Sequence, residues 1–146
     1  MSETLRQLVD RDLAAIEQRD ADAALACFAT DGELIDPHYP HARMRGHAQI
    51  RYGLDWVFSG MRSMSFRVDG FHLSEDGVSA VAETASRHVQ TGGRVIEFQQ
   101  VFVVDTADGL ITRMESFLPY GPNGIGGFFL RLGTGSYRRR HPFPKD

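Results

Sequence analysis

The chain has 146 residues, of which 42% are hydrophobic and 24% charged, and a formal net charge of −3. That length suits one domain with a core of its own, and the slight acidity excludes a general nucleic-acid-binding surface. The lone cysteine, Cys27, excludes an internal disulfide and a cysteine-based zinc cluster; no apolar run approaches the eighteen or so residues of a membrane span, so no membrane partner is expected.

The segment Met1 to Asp12 is charged and lacks the apolar centre of a signal peptide, which predicts a cytoplasmic protein. Ser2, Glu3 and Thr4 can open a helix in which Leu5, Leu8, Val9, Leu13 and Ile16 share one face. Arg19-Asp20 ends it, and a shorter helix from about Ala21 to Phe28 turns Leu25 and Phe28 inward. Cys27, between Ala26 and Phe28, reads as a small buried hydrophobe. Thr30-Asp31-Gly32 forms a turn before a short strand, Leu34-Ile35, that stops at Asp36-Pro37. Proline disfavours helix in the residue before it, so Asp36 is expected to be extended and fixed at a strand end. A loop from His38 to Arg45 leads to a third helix, Gly46 to Met61, with Ile50, Leu54, Val57 and Met61 in one stripe.

Four strands follow: Ser63 to Ser74, Val78 to Gln90, Arg94 to Asp105 and Leu110 to Leu118, joined by turns at Glu75-Asp76-Gly77, Thr91-Gly92-Gly93 and Asp108-Gly109. Helices first and an antiparallel meander afterwards make an α+β chain. A curved sheet with helices across its open side encloses a cavity. The Gly- and Pro-rich stretch from Pro119 predicts a loop with at most one helical turn at Phe128 to Leu132. The basic tail, Arg131 and Arg138 to Arg140, reads as a solvated terminus or, less simply, a phosphate grip. The organisation expected is one domain over residues 1–118 and a tail over 119–146.

Asp12 falls near the centre of the apolar stripe of the first helix. A carboxylate there must be paired, kept neutral or line a cavity, unless the helix is rotated and Asp12 meets solvent or Arg11. Asp36, rigid at a cavity mouth, suits proton abstraction; the alternative is a turn-forming Asp-Pro. Asp36, His38 and His41 match no tight metal spacing beside the basic Arg43 and Arg45, so no metal is predicted. On the sheet, Phe98, Gln100 and Phe102 share the inward face of the third long strand. Glu83 and Arg87 on the second strand, and Arg113, Glu115 and Phe117 on the fourth, each share a face with apolar neighbours. Those two faces either point into the cavity or carry cross-strand ion pairs in solvent. With Tyr39 and Trp56, these residues form the predicted lining.

The string RDLAAIEQRDADAALACFATDGELIDP, Arg11 to Pro37, resembles the start of ketosteroid isomerases and of the SnoaL-like polyketide cyclases. Two helices, a Phe-Ala-x-Asp turn and Asp-Pro after a short strand carry the resemblance, and looser similarity continues to about Phe117. It implies the nuclear-transport-factor-2-like fold: a cone of three N-terminal helices packed on a curved antiparallel sheet, commonly paired as a homodimer. The isomerase's general-base aspartate falls on Asp36, its oxyanion-hole tyrosine on Asp12, and its proton-donating aspartate on Gln100. Both donors are therefore replaced, and steroid isomerisation is not expected. The charged strand residues also look like the Asp-Arg-Asp arrangement of limonene epoxide hydrolases, but no residue-by-residue match carries over. The expected function is a cofactor-independent acid–base enzyme (isomerase, cyclase, dehydratase or hydrolase type) on a small, largely apolar molecule. The alternative is a non-catalytic ligand-binding or dimerisation module. An enzyme should hold one buried acid neutral beside one ionised carboxylate.

Overall fold

Thr4 caps the first helix, α1 (Leu5–Glu17), through a capping box. Its hydroxyl accepts from the Gln7 N–H, and the Gln7 side chain accepts from the Thr4 N–H at 2.9 Å. In this computed structural model residues 3–119 and 124–145 are described, with the side chains of 124–127 left aside. Ser2, one of the predicted openers, lies outside the described residues. The buried face of α1 is Leu8, Val9, Asp12, Leu13 and Ala15. The short α2 (Ala21–Leu25) is capped by Asp20.

Two strands precede the third helix. β1 (Phe28–Ile35) is much longer than the Leu34-Ile35 pair expected, and β2 (Arg43–Arg45) pairs antiparallel with it. Gly46, with φ of +76°, makes the abrupt passage from β2 into α3 (Gly46–Gly60), a backbone region that favours glycine. The meander then runs β3 (Met61–Leu73), β4 (Ser79–Gln90), β5 (Val95–Ala107) and β6 (Leu110–Phe117). The six-stranded sheet has the order β2-β1-β6-β5-β4-β3. It is not wholly antiparallel as expected: β1 lies parallel to β6, with Leu34 opposite Met114. A parallel pair needs a long crossover, supplied here by everything between these two strands.

The core gathers Leu8, Val9 and Leu13 of α1, Ile50 and Leu54 of α3, and Phe102, Val104, Ile111 and Met114 of the sheet, with Cys27 and Met44 between. Each such side chain contributes about 1.5–3 kcal/mol on burial. Cys27 is fully buried, and burial pushes its thiol up to about 11, so it stays protonated. Among the described residues no helix is long and apolar enough to cross a membrane.

The predicted tail loop is replaced by a helix, α4 (Gly124–Arg140). Glycines hid it, because each costs a helix about 1 kcal/mol relative to alanine. Docking offsets that cost. Tyr137 meets Tyr52 of α3 edge to face at 5.3 Å, and the Tyr52 hydroxyl donates to the His141 carbonyl at 2.8 Å. Beyond the helix, Phe143 stacks on His41 at 3.8 Å and the Gln49 amide donates to the Pro144 carbonyl at 3.1 Å.

Candidate functional site

Asp12 sits one helical turn from Leu8 and beside Leu13, so the amphipathic spacing that docks α1 carries the carboxyl inward with the core. It is 0% exposed, and neither of its oxygens has a hydrogen-bond partner. Burial pushes the carboxyl up to about 7, against the weaker opposing pull of Arg11. Near neutral pH Asp12 is therefore divided between carboxylic acid and carboxylate, and the acid form can donate a hydrogen bond.

Asp36 follows the last residue of β1 and is 5% exposed. Its backbone N–H donates to the Ala42 carbonyl at 2.8 Å, which ties both ends of the connecting loop together. Its Oδ1 accepts from the His38 N–H at 2.9 Å and lies 3.2 Å from His38 Nδ1. Proline at the next position and these contacts fix the carboxylate at the strand end.

Tyr39 leaves this loop with its ring against Trp56, 5.2 Å between centroids. Gly53 of α3 makes room for it: a Cβ there would lie 2.9 Å from the Tyr39 ring and closer still to the Met44 sulfur. Burial first, then Asp36 and then Asp12, raise the Tyr39 hydroxyl far above its ordinary value, so it remains a proton donor. Both carboxyl groups thus act on one phenol.

The opposing wall comes from the sheet. Phe98, Gln100 and Phe102 share the inward face of β5, and the Phe102 ring meets Phe66 of β3 at 6.1 Å. Gln100 is held in a buried cross-strand network. Ser86 donates to its carbonyl oxygen at 3.1 Å, its NH₂ donates to Ser116 at 2.5 Å, and Thr84 donates to its backbone carbonyl at 3.0 Å. His88 also belongs to this wall. Its ring stands edge-on to Phe98 at 4.9 Å and Phe66 at 5.5 Å, and its buried Nε2 has no partner. Burial lowers it to about 4, with Asp36 opposing, so the imidazole is neutral at physiological pH.

Five expected lining residues lie on the other face of the sheet. On β4 the buried positions are Ala80, Ala82, Thr84 and Ser86, so Glu83 and Arg87 point outward, meeting His72 at 3.6 Å and Glu97 at 3.3 Å. Of the two readings the sequence left open for this face, the structure has the solvent face with a cross-strand ion pair, because small residues fill the side against the helices. On β6 the cause is a register irregularity. Ile111 is inward, the pairing then shifts, and Met114 and Ser116 follow it inward. Arg113 and Glu115 consequently form an outer ion-pair chain with Asp105, 2.9 Å from Arg113, and Phe117 is 50% exposed. His88, Ser86 and Ser116 were missed because of these two face assignments. The polar-small alternation Thr84, Ser86, His88 was the available signal.

Tyr39 thus feels the charge of both Asp12 and Asp36 and packs on Trp56, while His88 feels Asp36 and stands among Phe66 and Phe98, with Phe102 beside Phe66; Gln100 is held within the sheet by Ser86 and Ser116. A buried carboxyl that keeps its proton to about pH 7, a second carboxyl, a phenol and a neutral imidazole beside phenyl rings are groups of the kind that move protons.

The sequence pattern of the SnoaL-like domain matches residues 9–114. No curated protein matches the chain. Among solved structures it is similar to a nuclear-transport-factor-2-like protein of unknown function from Burkholderia pseudomallei, with 21% identity and a TM-score of 0.70 over 87% of this chain and 95% of that one. It is similar to a Δ5-3-ketosteroid isomerase from Mycobacterium sp., with 18% identity and a TM-score of 0.68 over 77% and 91%. A Mycobacterium tuberculosis protein in complex with estradiol-17β-hemisuccinate is 19% identical, with a TM-score of 0.68 over 75% and 89%. At such identities these structures establish a shared fold. The helices, the curved mixed sheet and the matched pattern together show that the chain belongs to the SnoaL-like domain family, with the nuclear-transport-factor-2-like α+β fold.

Proposed function

We propose that this protein is a cofactor-independent acid–base enzyme acting on a small, largely apolar molecule, of isomerase, cyclase, dehydratase or hydrolase type. The observation that carries the reading is Asp12: a fully buried carboxyl, with both oxygens unpartnered and its acid form persisting to about pH 7. It shares its surroundings with Asp36, whose charge reaches the same tyrosine. In this mechanism Asp36 takes a proton from carbon, and Asp12 donates a hydrogen bond to the substrate oxygen where negative charge develops. Tyr39 can supply a second donor. Gln100 spends one N–H on Ser116 and keeps its other amide hydrogen for the ligand, a smaller role than Asp12 has. Phe98, Phe102 and Trp56 supply apolar walls. A solved relative of the same fold holds an estradiol ester and another is named for ketosteroid isomerisation, which supports an apolar ligand as the occupant.

The test is hydrogen–deuterium exchange at the α-carbon of small cyclic ketones, 2-tetralone first, followed by NMR in D₂O. Asp36→Asn should reduce exchange by about 10²-fold or more while ligand affinity changes little. Exchange equal to that of the parent protein would remove Asp36 from the mechanism. A homodimer in the cytoplasm belongs to the same proposal. The exposed Phe128, Phe129 and Leu132 of α4 favour an associating surface, which also keeps a non-catalytic dimerisation or ligand-binding role as the second reading.

A further inference from the structure

Outside the Asp36 loop the chain forms a cleft of about 340 Å³ whose two walls differ in origin. One wall is the loop itself, with His38 and Tyr39; the other is α4, which lies beyond the residues that match the family pattern. Leu130, Arg131, Thr134 and Arg138 line this second wall. Their spacing of one, four and eight positions from Leu130 places them on a single face of the helix. Arginines on the sheet such as Arg87 and Arg113 are matched by carboxylates, whereas among the described residues Arg131 and Arg138 meet none. Among the described residues no acidic side chain lines the cleft. The charge of Arg138 is felt across it by His41, whose proton affinity is lowered first by burial and then by that arginine. Two exposed arginines about two helical turns apart on that face, over a loop whose His38 touches Asp36, present the planar, forked donors that suit a carboxylate.

We propose that this cleft is a carboxylate subsite, in which Arg131 and Arg138 grip the acid group of a substrate whose apolar body lies toward Asp36 and Asp12. The inference names the charge of the substrate class and rests on the acid–base reading for what happens to that substrate. It also gives the basic residues of the tail a ligand: the second and ninth positions of the 130–138 face act, while Arg139 and Arg140 stay in solvent.

The probe pair is 2-naphthoate and 2-naphthamide, equal in shape and different in charge, titrated into the full chain at low salt by calorimetry and by NMR of backbone and arginine N–H groups. Naphthoate should bind about tenfold tighter than the amide, with the largest shifts at residues 130–138 and His38. The double change Arg131→Gln with Arg138→Gln should abolish that preference and leave amide affinity within about twofold. Arg139→Gln with Arg140→Gln should retain it, and salt should weaken naphthoate alone. Equal affinity for the two probes, a preference that survives the Arg131/Arg138 change, or no naphthoate binding up to about 10 mM would each overturn the subsite. Asp36→Asn separates this inference from the acid–base reading. If ketone exchange is unaffected by that change while the naphthoate preference persists, the mechanism fails and the subsite stands; if exchange falls and the preference is absent, the reverse holds.

Discussion

A buried carboxyl with no hydrogen-bond partner is costly when ionised, and Asp12 avoids much of that cost by keeping its proton up to about pH 7. The unfolded chain releases the same proton near pH 4. Between these values the folded state binds more protons than the unfolded one, so this residue makes stability fall as pH rises from about 4 to 7. A rise of about three units is worth on the order of 4 kcal/mol. His88 opposes it. Its proton affinity is lowered in the fold, so its contribution makes stability rise with pH from about 4 to 6.5. Asp12→Asn should therefore raise stability near pH 8 relative to pH 5, compared with the parent protein, as read from urea midpoints at the two values. A pH profile identical to the parent's would mean that Asp12 is already paired or exposed in solution. Asp12 was legible from sequence because a charged residue in a helical stripe is conspicuous. His88 was not, because a strand's two faces look alike when one carries Val81 and Val89 and the other carries Ala80 and Ala82.

At the scale of elements, helices and hairpins set by local spacing were readable: α1, α3, the Asp-Pro stop and all four meander strands lie within a few residues of expectation. What depended on partners was not. The turn of β6 after Ile111 comes from its pairing with β5 and β1, and α4 exists through Tyr137, His141 and the strap beyond it. Gly133 lies inside that helix, and a Cβ added there would meet nothing within 4 Å. Gly133→Ala should thus stabilise α4 by about 0.5–1 kcal/mol, seen as slower amide hydrogen exchange over residues 128–140. Unchanged or faster exchange would mean that this segment is not helical in solution.

For the whole molecule, the apolar side of α4 faces away from its docked side. Phe128 and Phe129 are 59% and 65% exposed, and their rings touch each other rather than the core. A second copy of the chain covering that stripe would explain its composition, and light scattering should then give twice the 16.3 kDa of one chain. Phe129→Ser with Leu132→Ser should shift the mass toward the monomer if this face makes the contact. A parent protein that scatters as a monomer at about 100 μM would remove the dimer.

The parallel contact between β1 and β6 sets an order of events during synthesis. The strand that holds Asp36 leaves the ribosome early, yet its neighbour on one side is the last strand of the sheet, some eighty residues later. Until β6 arrives, β1 has only the three-residue β2 to pair with, and its apolar residues wait without their cover. The meander β3–β6 closes through neighbouring hairpins and needs no such delay. The strand that leads into Asp36 therefore completes its pairing only after the last strand of the sheet has been made. A nascent chain stalled before Leu110 carries Asp36 and its loop but lacks the strand that flanks β1 on its other side.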